Sequence, residues 1–360
     1  MRKTTLLLAL LLAFGSSPLR ADEETRNRLI RFFGGWFSWF PNTMVMVKET
    51  KEVDVPGYEA YRVGRRTESK AHQESNVALV DKGRDEVFVG QAFHDDVRRF
   101  AKRPFDPDVD VPTIEASLTE AYGMPVKVRV EDRPRGALKP IVFSIRHVEG
   151  AIVQIPGFVS EDGSTLLIGE FHPLSSEAQA VRKRLIAERP GIRPSSAKFY
   201  VNEFIDFQCE RCRVRAPEVK AAAVEAGGAV EMRLFPLTRV HDWAFAAAEQ
   251  AAALGNVDPA LYAKFEEAVF ARASTMTAEA ARALASDVAE AGGAKAAFEK
   301  ELSSGRARER VVADLRLGIR LGVSGTPAFF HEGNFVSAEK ELFETYLRGK
   351  VPPPARPAGQ

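Results

Sequence analysis

The only cysteines of this 360-residue chain, Cys209 and Cys212, are separated by two residues. An apolar, strand-like run at residues 199–207 precedes them, and a helix-like run at residues 213–225 follows. A helix that begins at the first cysteine favours its thiolate, because free N–H groups and the helix dipole stabilise negative charge there. A second thiol this close can resolve a mixed disulfide. The spacing therefore predicts a reactive dithiol between a strand and a helix.

Two structural uses of the cysteine pair are weaker alternatives. A disulfide between Cys209 and Cys212 closes too short a loop to stabilise the fold much by chain entropy. A zinc site needs four ligands, and the sequence offers neither further cysteines nor histidines at ligand-like spacing. The sequence therefore predicts a catalytic dithiol without a metal or an organic cofactor, in which the disulfide itself is the redox group.

The first 21 residues have the pattern of a secretory signal. Two basic residues precede an apolar run at residues 4–14, which is too short to span a bilayer comfortably. Cleavage after Ala21 and cleavage near Ser17 are both open, and an uncleaved signal that anchors the chain is a third alternative. We therefore expect an exported, periplasmic protein.

The charged residues exclude one class of partner. Fifty basic residues stand against forty-nine acidic ones, for a net charge of +1, and the two signs are interspersed along the chain. Proteins that bind nucleic acid concentrate basic charge on one face or in one segment. The sequence therefore predicts no nucleic-acid partner.

Strands and helices alternate downstream of the cysteines. The pattern predicts a strand at residues 230–237, an alanine-rich helical stretch at 240–321, short strands at 328–330 and 335–336, and a last helix at 338–348. Pro327 heads one of these short strands. Proline there removes a donor from the sheet ladder, so its position needs a special reason.

The segments FIDFQCERC, FPL and LGVSGTPAFF together resemble the DsbA/DsbC-like thiol–disulfide oxidoreductases of the thioredoxin fold. The resemblance implies an α/β thioredoxin-like domain in which Cys209 attacks and Cys212 resolves. It also implies a cis Pro327 facing the cysteines, with Thr326 and Gly325 shaping a groove for an extended substrate by strand addition. The helical stretch at 240–321 resembles the inserted subdomain of the DsbA-like branch.

Two acids and a histidine near the cysteines are further candidates. The resemblance implies that Glu203 is a buried acid able to accept the proton of Cys212, and a solvent-facing strand glutamate is the alternative. Asp206 should face the opposite side by strand alternation. His241 matches a position where this family often carries histidine, but an ordinary structural histidine is the alternative.

The residues between the cysteines should tune the Cys209 thiol. Lowering its pKa from about 8.5 to about 6 takes about 3.4 kcal/mol. A helix N-terminus supplies only about 0.3–2 kcal/mol, so N–H contacts and the cation Arg211 must add the rest while Glu210 opposes them. We therefore expect a moderately acidic nucleophile rather than an extreme oxidant.

The N-terminal half contains a candidate duplication. Gly57 and Gly136 are 79 residues apart, as are Gly90 and Gly169, and each glycine sits in a similar strand pattern. Each unit begins with a helix-like run, at residues 26–34 and 113–123. This predicts two small α+β modules, at 22–106 and 107–174, with unrelated hairpins as the alternative.

The second module resembles the cystatin-like domain that precedes the catalytic domain in DsbC-type isomerases and makes their dimer. Two copies in one chain favour a monomer through internal pairing, but the oligomeric state stays open. We further expect a helical linker at 175–195, a catalytic domain at 196–350 and a disordered tail at 351–360. The aromatic residues 36–40 are either a protein-binding surface or buried core.

These observations predict an exported protein thiol–disulfide oxidoreductase. Its expected partners are exported proteins with thiols or disulfides, together with a membrane redox partner. The direction of the chemistry (oxidation, isomerisation or reduction) stays open, because it depends on the reduction potential, which a sequence does not give. The alternative from another class is a periplasmic chaperone or binding protein with a secondary redox role.

Overall fold

The computed structural model describes residues 18–36, 44–66, 75–93, 103–147, 150–193, 196–337 and 339–349. Most of the predicted signal and the tail at 351–360 lie outside these residues. Of the aromatic residues 36–40, only Trp36 is described, and it is buried. Within the described part of the chain, no helix is both long and apolar enough to cross a membrane.

The N-terminal region is built on one antiparallel sheet of eight strands, in the order β1-β2-β3-β4-β8-β7-β6-β5. The helices are α1 (Pro18–Trp36) and α2 (Pro107–Tyr122), and the strands are β1 (Met44–Glu49), β2 (Glu59–Arg66), β3 (Ser75–Asp81), β4 (Glu86–Phe93), β5 (Val126–Val130), β6 (Leu138–Arg146), β7 (Ile152–Ser160) and β8 (Leu166–Pro173). Both helices begin before the predicted runs. Helix α2 starts early because Asp106 caps it and a proline fits its first turn.

The strands repeat at the interval found in the sequence. Adding 79 to the bounds of β2, β3 and β4 gives 138–145, 154–160 and 165–172, beside the observed bounds of β6, β7 and β8. The repeats are not separate modules, however. Strand β4 pairs with β8 along its whole length, so the prediction of two small modules is corrected to two repeats within one continuous sheet.

At the β5 edge of this sheet, helix α2 packs against the outermost strand. The N–H of Val126 donates to the hydroxyl of Thr119 at 3.0 Å, and the N–H of Val128 donates to the carboxylate of Glu115 at 2.9 Å. Both acceptors lie on α2. Two outward donors of edge strand β5, at Val126 and Val128, are therefore satisfied within the chain.

The C-terminal region contains a four-stranded sheet in the order β10-β9-β11-β12. Strands β9 and β10 are parallel, whereas β11 runs antiparallel to β9 and β12. The elements are α3 (Ala178–Ala187), β9 (Tyr200–Ile205), α4 (Glu210–Glu225), β10 (Ala229–Leu234), α5 (Ala244–Val257), α6 (Pro259–Ala271), α7 (Ala278–Ala291), α8 (Lys295–Ser303), α9 (Arg306–Leu321), β11 (Ala328–His331), β12 (Asn334–Val336) and α10 (Lys340–Leu347). This is the predicted order of elements, with five α-helices in the helical stretch.

Helix α3 connects the two regions. The buried guanidinium of Arg182 donates a hydrogen bond to the backbone oxygen of Trp36 at the end of α1. The same group lies 4.3 Å from the Trp36 ring centre and 5.5 Å from that of Phe330 on β11. The predicted linker is thus a packed element that joins the N-terminal helix to the C-terminal sheet.

Candidate active site

Cys209 occupies the N-cap position of α4, so the helix begins at the first cysteine as predicted. The turn that leads into the helix is held by backbone bonds, because the N–H of Cys209 donates to the oxygen of Asp206 at 3.2 Å. Only 9% of Cys209 is exposed, and Cys212 is fully buried. Both are free thiols in this structure. A partner sulfur can therefore reach Cys209 much more easily than Cys212.

The surroundings lower the pKa of Cys209 to about 5. The main cause is a hydrogen bond from the side chain of Cys212, which outweighs the opposing effect of burial. The backbone N–H groups of Cys212 and Arg211 add further stabilisation. Cys209 is therefore a thiolate at neutral pH.

Glu210, which the sequence predicted to oppose the Cys209 thiolate, has a partner of its own. Its carboxylate pairs with Arg213, with Oε2 at 2.8 Å from the guanidinium Nε, so much of its opposing charge is neutralised. Arg211 helps through its backbone N–H. The pKa of Cys209 is thus lowered in the direction that the sequence predicted.

The second thiol has the opposite property. Burial, reinforced by the hydrogen bond and the charge of Cys209, raises the pKa of Cys212 far above its usual range. Cys212 therefore keeps its proton while Cys209 is ionised. The two sulfurs differ in both exposure and protonation, which is the asymmetry that a nucleophile and a resolving thiol require.

The loop before β11 faces this thiol pair. The peptide bond between Thr326 and Pro327 is cis. The Sγ of Cys209 lies 3.4 Å from the backbone oxygen of Thr326. Thr326 is buried and Pro327 is half-buried, while a Cβ added to Gly325 would meet no atom within 4 Å. The structure thus places Thr326 beside Cys209 and leaves open space at Gly325.

Glu203 lies on β9 and is completely buried, so the alternative of a solvent-facing glutamate is wrong. Burial raises the pKa of its carboxyl to about 8; Lys220 opposes this effect and Glu266 reinforces it. Neither carboxyl oxygen has a hydrogen-bond partner within the described residues. The charge of Glu203 also contributes to the raised pKa of Cys212, so the two groups are close enough to interact.

The helical stretch adds buried polar groups to this cluster that sequence reasoning missed. Tyr262 and Glu266 lie on α6, and the carboxylate of Glu266 pairs with Lys220 on α4. The Tyr262 hydroxyl and one Glu266 oxygen have no hydrogen-bond partner in the described part of the chain. Burial, and then the charges of Glu266 and Glu203, raise the pKa of Tyr262. The apolar periodicity of α6 gave no signal that these side chains meet Glu203.

Asp206 and His241 form a second cluster on the other side of β9. The Nδ1 of His241 lies 2.8 Å from the Oδ2 of Asp206, and the same oxygen accepts the N–H of Leu237 at 2.7 Å. The Oδ1 of Asp206 accepts the N–H of Gln208 at 2.7 Å. The predicted opposite orientations of Asp206 and Glu203 thus agree with their contacts. His241 has a specific partner in the loop before Cys209, which the sequence did not predict.

A strand, a dithiol at a helix N-terminus and a cis-proline loop facing it define a thioredoxin-like dithiol domain. The comparison with protein families agrees with this class. Residues 194–347 match the family model described as Thioredoxin, which confirms the predicted recognition of the fold in the C-terminal region. The match does not reach the eight-stranded sheet, so the cystatin-like resemblance of that region stays a prediction.

Several solved structures are similar to just under half of this chain. The catalytic domain of ScsC from Proteus mirabilis is 15% identical with a TM-score of 0.39, over 47% of this chain and 98% of that one. The thiol-disulfide exchange protein alpha-DsbA2 from Wolbachia pipientis is 20% identical with a TM-score of 0.39, over 49% and 98%. BdbD from Bacillus subtilis is 18% identical with a TM-score of 0.36, over 46% and 94%. No curated protein matches the chain.

Proposed function

We propose that this chain is an exported thiol–disulfide oxidoreductase that acts on exported proteins through Cys209 and Cys212. The contrast between the two thiols is the observation that carries the proposal. Cys209 is the accessible sulfur and its pKa is about 5, whereas Cys212 is fully buried and protonated. A structural thiol pair gains nothing from this asymmetry, but disulfide exchange depends on it.

The low pKa of Cys209 supports a direction as well. A stabilised thiolate favours the reduced form of the pair, so its disulfide is a good oxidant. We therefore favour transfer of the disulfide to substrate thiols over reduction of substrate disulfides. The periplasm is the compartment in which such an oxidant would act, and the predicted signal supports that location.

In this direction a substrate thiolate attacks the Sγ of Cys209 in the disulfide, and the S–S bond breaks with its electron pair on Cys212. Glu203 carries a proton at neutral pH, because its pKa is about 8, and gives this proton to Cys212. A second substrate thiolate then attacks the substrate sulfur of the mixed disulfide and releases Cys209 as a thiolate. The substrate has lost two electrons to the pair, which returns to the disulfide by passing them to a disulfide of a membrane redox partner.

Thr326, Pro327 and Gly325 are the proposed substrate contacts. The open space at Gly325 supports the approach of an extended chain alongside Thr326. The backbone oxygen of Thr326 already lies at Cys209, so a substrate paired here would hold its sulfur close to the nucleophile.

The test is the equilibrium of the Cys209–Cys212 pair in a glutathione redox series, read by thiol alkylation and mass. A potential near about −120 mV is expected for an oxidant, whereas one near about −270 mV would reverse the proposed direction. The double variant Cys209→Ser, Cys212→Ser is the control. If the wild-type pair never exchanges, or if the double variant keeps full activity in cells, the protein is a binding protein or chaperone instead.

A further inference from the structure

The loop that follows β10 touches both the turn of Cys209 and the N-terminal sheet. We call residues 237–242 the rim loop. Its backbone and side chains meet Asp206 and Gln208, which directly precede Cys209, on one side. On its other side it meets the second repeat of the N-terminal sheet. The rim loop is therefore a physical connection between the two regions.

The contacts on the cysteine side are short and well defined. The rim loop gives Asp206 two partners, the N–H of Leu237 at 2.7 Å and the Nδ1 of His241 at 2.8 Å. It also holds Gln208, whose side-chain amide donates to Asp242 at 2.8 Å. The backbone oxygen of Asp206 in turn accepts the N–H of Cys209, so the rim loop holds the side chain of the residue that anchors the cysteine turn.

The contacts on the opposite side come from the second repeat. The Nδ1 of His147, at the end of β6, lies 3.0 Å from the hydroxyl of Thr238. The same hydroxyl donates to the sulfur of Met124 at 3.7 Å. The guanidinium of Arg239 lies 3.5 Å from the backbone oxygen of Ala121, at the end of α2. His147 is buried, so this is a packed interface rather than a loose surface contact.

We propose that the second N-terminal repeat positions the Cys209 turn through the rim loop, with Thr238 and Asp206 as the connecting residues. The repeat thereby helps to set the reactivity of the dithiol, although the contacts described for it reach the rim loop rather than the sulfurs. Asp206 lies three residues before Cys209, and a carboxylate turned towards the sulfur would oppose the thiolate, so its orientation towards Leu237 and His241 matters for the dithiol. The inference rests on the proposed dithiol chemistry.

Thr238→Val in the full chain tests this coupling, because it removes the hydroxyl and keeps the volume. We expect the pKa of Cys209 to rise by about half a unit, and the glutathione equilibrium to shift about threefold towards the disulfide. That shift equals about 14 mV, since tenfold corresponds to 29.6 mV for this couple. Thr238→Ser keeps the hydroxyl and should restore the wild-type values.

The matched control removes a bond between the same two regions that does not involve the rim loop. The guanidinium of Arg316 on α9 donates to the backbone oxygen of Gln154 on β7 at 2.8 Å. Arg316→Gln should leave both the pKa of Cys209 and the glutathione equilibrium unchanged. The proposal is overturned if Thr238→Val behaves like Arg316→Gln, or if Thr238→Ser shifts the readouts as much as Thr238→Val.

The two readouts separate this proposal from the proposed function. The titration of Cys209 by the pH dependence of its alkylation needs no redox exchange, so it tests the coupling on its own. A wild-type pair that does not exchange with glutathione contradicts the oxidoreductase, whereas a normal exchange with an unresponsive Thr238→Val contradicts only the coupling.

Discussion

Gly90 and Gly169 lie directly opposite each other where β4 pairs with β8, and they are also the residues related by the 79-residue repeat. Phe88 pairs with Phe171 on one side of them, and Ala92 pairs with Leu167 on the other. Adding or subtracting 79 exchanges these two pairs. The two repeats are therefore related by a local two-fold axis that passes between the two glycines.

The close approach at this axis predicts a large effect of Gly90→Ala. The new Cβ would lie 2.1 Å from the backbone oxygen of Ile168 and 2.8 Å from the Cα of Gly169. The strands would have to separate, so the free energy of unfolding should fall by about 1–3 kcal/mol or more. Urea unfolding followed by circular dichroism measures this change.

Gly34→Ala is the matched control for that substitution. A Cβ at Gly34 on α1 meets no atom within 4 Å. Alanine is the better helix former by about 0.5–1 kcal/mol, so this variant should be unchanged or slightly more stable. Equal destabilisation by both variants would show that the junction of the repeats is not tightly packed.

The acidity of Cys209 should depend on the donor at Cys212. Cys212→Ala removes the main hydrogen bond to the thiolate, which is worth about 1.5–3 kcal/mol for a charged group. The pKa of Cys209 should therefore rise from about 5 by about one to two units. Cys212→Ser keeps a donor and should retain most of the acidity, which the pH dependence of Cys209 alkylation measures. Equal titration of the two variants would contradict this cause.

The same low pKa makes the stability of the reduced protein depend on pH. The folded pKa of Cys209, about 5, lies below the ordinary thiol value. Its contribution to stability is therefore complete above about pH 8.5 and is lost as the pH falls through 5. The free energies of unfolding of the wild type and of Cys209→Ser, measured in urea, should therefore differ increasingly in favour of the wild type as the pH rises from about 5 to about 8.5.

Glu203→Gln should affect both chemistry and stability. Without the carboxyl, proton transfer to and from Cys212 should slow, by about 100-fold for a general acid–base. The mixed disulfide, quantified by mass after rapid acid quenching, should form more slowly and reach a lower level, because an unprotonated Cys212 attacks it and restores the Cys209–Cys212 disulfide. The folded pKa of about 8 exceeds the unfolded value, so the wild type loses stability as the pH rises from about 4.3 to 8.

Glu203→Gln has no carboxyl to ionise and should not lose stability in this way. Its free energy of unfolding relative to that of the wild type should therefore increase as the pH rises from about 4.3 to 8. Glu218→Gln on α4 is the control, because that carboxylate pairs with Arg215 near the surface. A Glu203→Gln variant that forms the mixed disulfide at the normal rate would exclude Glu203 from the proton transfer.

Glu210→Gln should lower the pKa of Cys209 by about half a unit or less, because it removes an anion from the first turn of α4. The ion pair with Arg213 limits the size of this effect. Removal of Arg213 instead, as Arg213→Gln, frees the Glu210 carboxylate and should raise the pKa of Cys209. Thiolate absorbance titrations compare the two variants, and shifts of the same sign would contradict the electrostatic account.

Local patterns were sufficient to predict the dithiol and its surroundings along the chain. The strand before Cys209, the helix after it and the short strand after Pro327 follow from apolar runs and punctuating residues. The interval of 79 residues likewise predicted strands that the structure contains. These features depend on neighbours in sequence or on simple repetition, which a single chain displays directly.

Contacts between distant segments were not predictable in the same way. Tyr262 reaches the Glu203 cluster from a helix whose surface pattern resembles any buried helix. The bond between His147 and Thr238 joins residues 91 positions apart and depends on how the two regions dock. The continuous pairing of β4 with β8 also depends on tertiary geometry, so composition and spacing left it open.

The covered edge at β5 limits how this sheet can pair with other chains. Another extended chain can join this side of the sheet only after α2 has been peeled from Val126 and Val128, whose donors Thr119 and Glu115 occupy. A protein that meets unfolded chains continually is at risk of recruiting them into its own sheet. Here helix α2 closes this end of the eight-stranded sheet at these two positions, so that a further strand cannot pair there while the helix stays in place.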